Sequence, residues 1–257
     1  MIARRSLRAG VLAYLAAVLL VPVGVVFYRT FEHGVGPAWV AVSTPDARHA
    51  FWLTLELAAI AVPANTVFGV LCALAIVRRR FPGKGVLNAL VDLPLALSPV
   101  VVGLSLFVLY GRSGWLSSLP FRVLFALPGM ALATIFVSLP FVVREVVPVL
   151  REIGTDQEDA AATLGAGALA TFRRVTLPAI RWAVAYGVVL TTARSIGEFG
   201  AVSVVSGRIA GRTETMTLLV QDKYESFDVT GAYAASVLLA LVAVATLVAM
   251  TALRRPR

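Results

Sequence analysis

Charge is scarce in this chain: 14% of its 257 residues are charged, against roughly 25% in a soluble domain. The single cysteine, Cys72, excludes an internal disulfide and carries no information on redox compartment. The only two histidines, His33 and His49, have no acidic or thiol neighbours at ligand spacing, so they read as solvated loop residues and not as a metal site. No G-x-x-x-x-G-K-[ST] loop is present to cradle a nucleotide. A nucleophile elbow and paired carboxylates in a soluble segment are missing too. These absences point away from an enzyme. No internal repeat or low-complexity linker divides residues 1–257, which read as one domain.

What is abundant is apolar surface, with 59% hydrophobic residues and a mean hydropathy of +0.86. No soluble core could bury that much, so the solvent must be lipid. Unbroken uncharged runs extend from Ala9 to Tyr28, Leu57 to Val77, Leu93 to Gly111, Val123 to Val143 and Val229 to Leu253. About 20 apolar residues cross a bilayer as a helix, and a helix is required because lipid offers the backbone no hydrogen-bond partner. A sixth run, Trp182 to Gly207, is interrupted by Arg194 and Glu198. The expectation is an all-α membrane protein with six spans near 9–28, 53–77, 88–110, 123–143, 182–206 and 229–253. The first run is longer than a signal-peptide core and lacks a cleavage site after Tyr28, so it reads as a span.

With six spans and a cytoplasmic N-terminus, 15 of the 23 basic residues fall on the cytoplasmic side, the bias expected of basic flanks. Both termini are then cytoplasmic. The net charge of +9 is spread over helix ends and forms no stripe, which argues against nucleic-acid binding. Prolines inside the runs, at positions 22, 63, 94, 99 and 140, predict kinks. Glu56 and Asp92 lie near span ends, where interfacial structural roles suffice.

The longest inner connection, 144–181, has legible local chemistry. Thr155-x-x-Glu158 has the form of a capping box, which predicts a helix start near Asp156. Asp156, Glu158 and Asp159 then lie at the positive end of the helix dipole. Gly165 supplies a left-handed stop after about nine residues. The product is a short helix presenting Ala160, Ala161 and Leu164, a nearly bare face that another protein's groove can approach.

The run Glu158-Asp159-Ala160-Ala161-Ala162-Thr163-Leu164-Gly165, followed by Val175-Thr176-Leu177-Pro178, resembles the "EAA" loop of ABC-importer permeases, with Asp159 in the usual Glu position. The stretch Asp92-Leu93-Pro94-Leu95-Ala96-Leu97-Ser98-Pro99 and its continuation to Gly103 resembles the third-helix signature of sulfate/thiosulfate permeases. Arg194-Ser195-Ile196-Gly197-Glu198-Phe199-Gly200-Ala201 resembles a segment shared by sulfate and molybdate permeases, and Ser203 to Gly211 fits the sulfate W subunits better. Glu214 to Leu218 stands where these families usually read T-L-P-L. The resemblance implies a type I importer permease with no cofactor of its own, ATP and Mg being bound by a partner ATPase. It also implies a second, similar permease subunit, an extracytoplasmic sulfate-binding protein and residence in the bacterial inner membrane. Glu158, Asp159, Ala160, Ala161, Leu164, Gly165, Leu177 and Pro178 would then meet the ATPase.

Arg194, Glu198, Asp92 and Ser98 are the candidates for the translocation pathway or its gate. Arg194 and Glu198 are four apart and can pair, in the less favourable order for a helix, with Gly197 and Gly200 able to break it. Twelve residues from Trp182 place Arg194 about 18 Å into the layer. Two other classes fit parts of the pattern: a molybdate or tungstate importer, and a secondary transporter or channel, which would need coupling carboxylates or a filter.

Overall fold

The computed structural model describes residues 2–118 and 120–253, which are helices joined by turns. In chain order these are α1 (Ile2–Phe31), α2 (Val35–Val42), α3 (Pro45–Arg78), α4 (Lys84–Ala96), α5 (Pro99–Tyr110), α6 (Leu127–Ser138) and α7 (Pro140–Ile153). There follow α8 (Asp156–Thr163), α9 (Ala168–Thr171), a π-helical segment (Phe172–Thr176), α10 (Leu177–Ile196), α11 (Gly200–Val205), α12 (Met216–Glu225) and α13 (Val229–Leu253). Five continuous helical stretches are long and apolar enough to cross a membrane, and a bent pair raises the number to six.

These cover the six expected runs, but four have different limits, the second starting at Pro45 and not at 53. The third, expected as one helix over 88–110, is two helices, α4 and α5, meeting at 110°. Pro99 opens α5 from a Ser98 cap residue held in extended backbone, a conformation imposed on the residue before proline. The fourth begins at Leu127, not at 123, and runs on to Ile153. The fifth starts at Ala168, not at 182, and stops at Ile196. Its expected remainder forms the separate helix α11. The connection predicted over 144–181 is therefore mostly helix, with only 154–155 and 164–167 non-helical around α8. Arg194 accordingly lies in the last turn of a long helix, not just past its middle.

Helix α3 is the axis of the bundle and packs against α6, α7 and α10. It starts earlier than its apolar run because Thr44 accepts the Ala47 N–H at 3.2 Å and Pro45 occupies the first turn. One core cluster joins Leu53 and Leu57 of α3 to Met130, Val137, Val202 and Val205. A second joins Val70 and Ile76 to Val142, Val146, Leu150 and Ile180. Between helices in lipid there is little hydrophobic drive, so close packing must hold them together.

Val142 shows how. A Cβ added at Gly69 would lie 2.8 Å from the Val142 Cβ, and one at Gly187 would lie 2.9 Å from the Val142 Cα. Both glycines let their helices close on this one residue. Gly187→Val forces a branched side chain against backbone that cannot swing aside. A destabilisation of about 3 kcal/mol is expected, read as a fall in the thermal midpoint of the detergent-extracted protein. A wild-type midpoint would remove this packing role.

Candidate coupling and pathway sites

Helix α8 is exposed along its length except where Glu158 and Ala161 turn inward. Its end is a complete Schellman turn: Gly165 N–H donates to Ala162 O at 2.9 Å and Ala166 N–H to Ala161 O at 3.0 Å, with Gly165 at φ +84°. Leu164, 88% exposed, sits on the outer tip beside the exposed Asp159 and Ala160. The expected capping box is not formed, because the Thr155 side chain makes no cap hydrogen bond. The Glu158 carboxylate is drawn away by stronger partners.

Those partners come from two other elements. Arg78, at the end of α3, donates from Nε to Glu158 Oε2 at 2.9 Å and from NH2 to Oε1 at 3.3 Å. Its NH1 and NH2 also donate to Leu150 O at 2.9 Å and Gly154 O at 2.7 Å, the carbonyls that close α7. Thr176 donates its hydroxyl to Glu158 Oε1 at 2.8 Å. One guanidinium thus ties α3, α7 and α8 together at a site where both charged side chains are largely buried. Charge-assisted, forked bonds of this kind are stronger than neutral ones.

Thr176 reaches Glu158 from a π-helical turn with a sequence cause. Pro178 has no N–H to continue the α-helical ladder, and Leu177 N–H bonds back five residues to Phe172 O. Leu177 and Pro178 are themselves exposed at the start of α10. A cleft of about 570 Å³, lined by Leu71, Leu74, Arg78, Asp159, Ala162 and Phe172, opens beneath α8.

The pathway candidates occupy two helix breaks and one flank. Arg194 NH1 lies 2.7 Å from Glu198 Oε2, close in charge without an aligned N–H···O bond. The i, i+4 ordering penalty does not apply, because α10 ends at Ile196 and Glu198 stands outside the helix. Glu198 is buried, and its Oε1 accepts the Ala201 N–H of α11 at 2.9 Å. Its carbonyl accepts the Thr217 hydroxyl at 2.8 Å. The α10–α11 break packs on the α4–α5 bend: a Cβ at Gly200 would stand 2.9 Å from Pro99 Cβ, and one at Gly103 would stand 2.7 Å from Ala201 O. Ser98, exposed at that bend, is therefore brought toward the Glu198 break. Asp92 is not; it pairs with Arg144 at 2.8 Å and ties α4 to α7.

Sequence reasoning missed Arg78, which reads as part of a basic flank, and a polar cluster inside the spans. Fully buried Asn65 donates to Ile135 O at 3.0 Å and Ser138 Oγ at 2.8 Å, and Ser195 lies 3.4 Å from Ser138. A lone asparagine in an apolar run was the available signal, since a buried amide in lipid demands partners. In the loop before α12, burial pushes the Glu214 carboxyl up, aided by Asp222 and Asp46. His49 Nε2 lies 3.2 Å from Arg212 O, and no metal-ligand cluster occurs among the described residues.

Five membrane-length helical stretches and one bent pair, the bend packed against the break that ends α10, thus carry an exposed short helix at one end. The sequence profile described as "Binding-protein-dependent transport system inner membrane component" matches residues 65–256, and the chain belongs to that family. It is 50% identical over 241 residues to the sulfate transport system permease protein CysW of Synechococcus elongatus, covering 92% of this chain and 84% of the relative. CysW of Escherichia coli K12 is 48% identical over 236 residues, 90% of this chain and 81% of the relative. CysT of Salmonella typhimurium is 41% identical over 234 residues, 89% of this chain and 84% of the relative. The fold matches that of a bacterial ABC transporter involved in alginate import, at a TM-score of 0.81 and 17% identity over 98% of this chain and 95% of that one.

Proposed function

We propose that this chain is a membrane-spanning permease subunit of an ATP-driven sulfate or thiosulfate importer, without catalytic chemistry of its own. The observation that carries the reading is 48–50% identity to CysW proteins over at least nine-tenths of the chain. The exposed helix α8 supports it, being a small, rigid, alanine-faced projection anchored at its base.

In this reading both termini and α8 are cytoplasmic. Two ATPase subunits, which bind ATP and Mg, seat α8 and its counterpart on a second permease of the CysT kind. Asp159, Ala160 and Leu164 meet the ATPase groove, Ala161 turns inward with Glu158 instead of facing it as expected, Gly165 ends the helix, and Leu177 and Pro178 open the span beyond it. Closure of the ATPase pair draws the two short helices together. Arg78 passes that displacement to α3 and α7, and Thr176 passes it to α10. The spans then open outward and accept the anion from an extracytoplasmic sulfate-binding protein.

Labelled-sulfate uptake in a strain deleted for this chain is the test. Restoration by the chain that depends on the ATPase and the binding protein is expected. Uptake persisting without the ATPase would make the chain a secondary transporter. Suppression by molybdate well below equimolar amounts would make it a molybdate importer.

A further inference from the structure

We propose that the cavity at the end of the molecule opposite α8 is a receiving vestibule for a hydrated divalent oxyanion; the proposal rests on the importer reading above. The cavity spans about 1210 Å³ between the end of α5, residues 111–117 and 120–125, and the 207–213 turn. Its place is fixed by α3. Arg78 at the C-terminal end of that helix holds α8, while Asp46 and His49 at its N-terminal end touch Gly211 and Arg212 of the turn. At 1.5 Å per residue the 34-residue α3 separates the two ends by about 50 Å.

The lining has one sign of charge. Arg112, Arg122 and Arg212 border the cavity with the hydroxyls of Ser113, Ser117 and Thr213, and no carboxylate lines it. Five other cations, Arg29, Arg78, Arg144, Arg194 and Lys223, each face an acid. Arg112, Arg122 and Arg212 have no ion pair among the described residues. They also belong to the minority of basic residues on the side that basic flanks avoid, so membrane insertion gives no reason for them. Arginine suits the task, since its fork of donors matches tetrahedral oxyanions and its charge persists at any working pH.

The walls are shaped by left-handed backbone at Phe125, Gly207, Arg208 and Gly211, and Phe125 N–H is tied to Val205 O at 2.8 Å. Val205 ends α11, the helix capped by Glu198, so the vestibule floor is continuous with the pathway break. The volume decides the mode of binding. At about 30 Å³ per water the cavity holds some forty water volumes, far more than one dehydrated oxyanion. The anion is held there by field and not by fit, so the vestibule concentrates sulfate and thiosulfate alike without selecting between them.

The test uses the complete transporter in proteoliposomes, with ATP inside and a saturating amount of sulfate-loaded binding protein outside. The variant Arg112→Gln/Arg122→Gln/Arg212→Gln is expected to import labelled sulfate about tenfold more slowly while keeping the stimulation of ATP hydrolysis by the binding protein. The corresponding triple lysine variant, which retains charge, is expected to keep more than half of the wild-type rate. Unchanged uptake in the glutamine variant overturns the proposal. So does loss of the stimulated ATP hydrolysis, which would assign the arginines to docking the binding protein, and so does a lysine variant as slow as the glutamine one. Wild-type liposomes that import no oxyanion would overturn the importer reading itself and this proposal with it.

Discussion

Replacing Arg78 by alanine is expected to lower sulfate uptake by about tenfold or more while the spans remain inserted. The change leaves the Glu158 carboxylate and two helix-closing carbonyls without their donor. Hydrogen bonds to a charged group contribute about 1.5–3 kcal/mol, and about 1.4 kcal/mol already changes an equilibrium tenfold. The penalty falls on the attachment of α8, because the core clusters of α3 and α7 do not involve the guanidinium. ATP hydrolysis should therefore persist, uncoupled from uptake. Arg78→Lys should recover only part of the loss, since an ammonium cannot spread over the same acceptors. The reversed pair, Arg78→Glu with Glu158→Arg, should recover more than either single reversal. Wild-type uptake by Arg78→Ala would show that α8 transmits force without this anchor.

The second large effect concerns Arg194 and Glu198. Glu198→Leu removes the counter-charge of Arg194 and the cap of α11 together. A loss of about 3–5 kcal/mol is expected, read as a collapse in the amount of folded protein in the membrane. Arg194→Leu strands a buried carboxylate and should be nearly as damaging. Arg194→Leu with Glu198→Gln separates structure from transport, because glutamine's carbonyl oxygen can still accept the Ala201 N–H while no net charge remains. That double variant should reach near-normal abundance. If its sulfate uptake is also near normal, Arg194 has no part in attracting the anion.

The spans were legible because lipid imposes a composition that no soluble fold shares, and the short helix was legible because Gly165 and the first-turn acids are local signals. What escaped was set by distant partners. The Thr155–Glu158 spacing satisfies the capping-box pattern, yet a guanidinium 80 residues away in sequence binds the carboxylate more strongly than a backbone N–H does. The fifth span's true start was hidden because Arg173, Arg174 and Arg181 interrupt the apolar run while the helix continues beneath them. The breaks at Ser98 and Gly197 follow from Pro99 and from close packing at Gly200 and Gly103. A uniformly apolar run conceals such breaks.

Helix α1 has a different kind of consequence. None of its membrane-crossing window is buried within the chain, and it rests chiefly on α13, with α2 beside it. Among the described helices, the first in chain order thus has the last as its main neighbour. Until α13 is in place α1 lacks its main neighbour, while α3 to α11 share core clusters of their own. Its docking closes the widest separation in chain order among the described helices and belongs to a late stage of assembly. A chain that ends before α13 would release a packed centre on a loose leash.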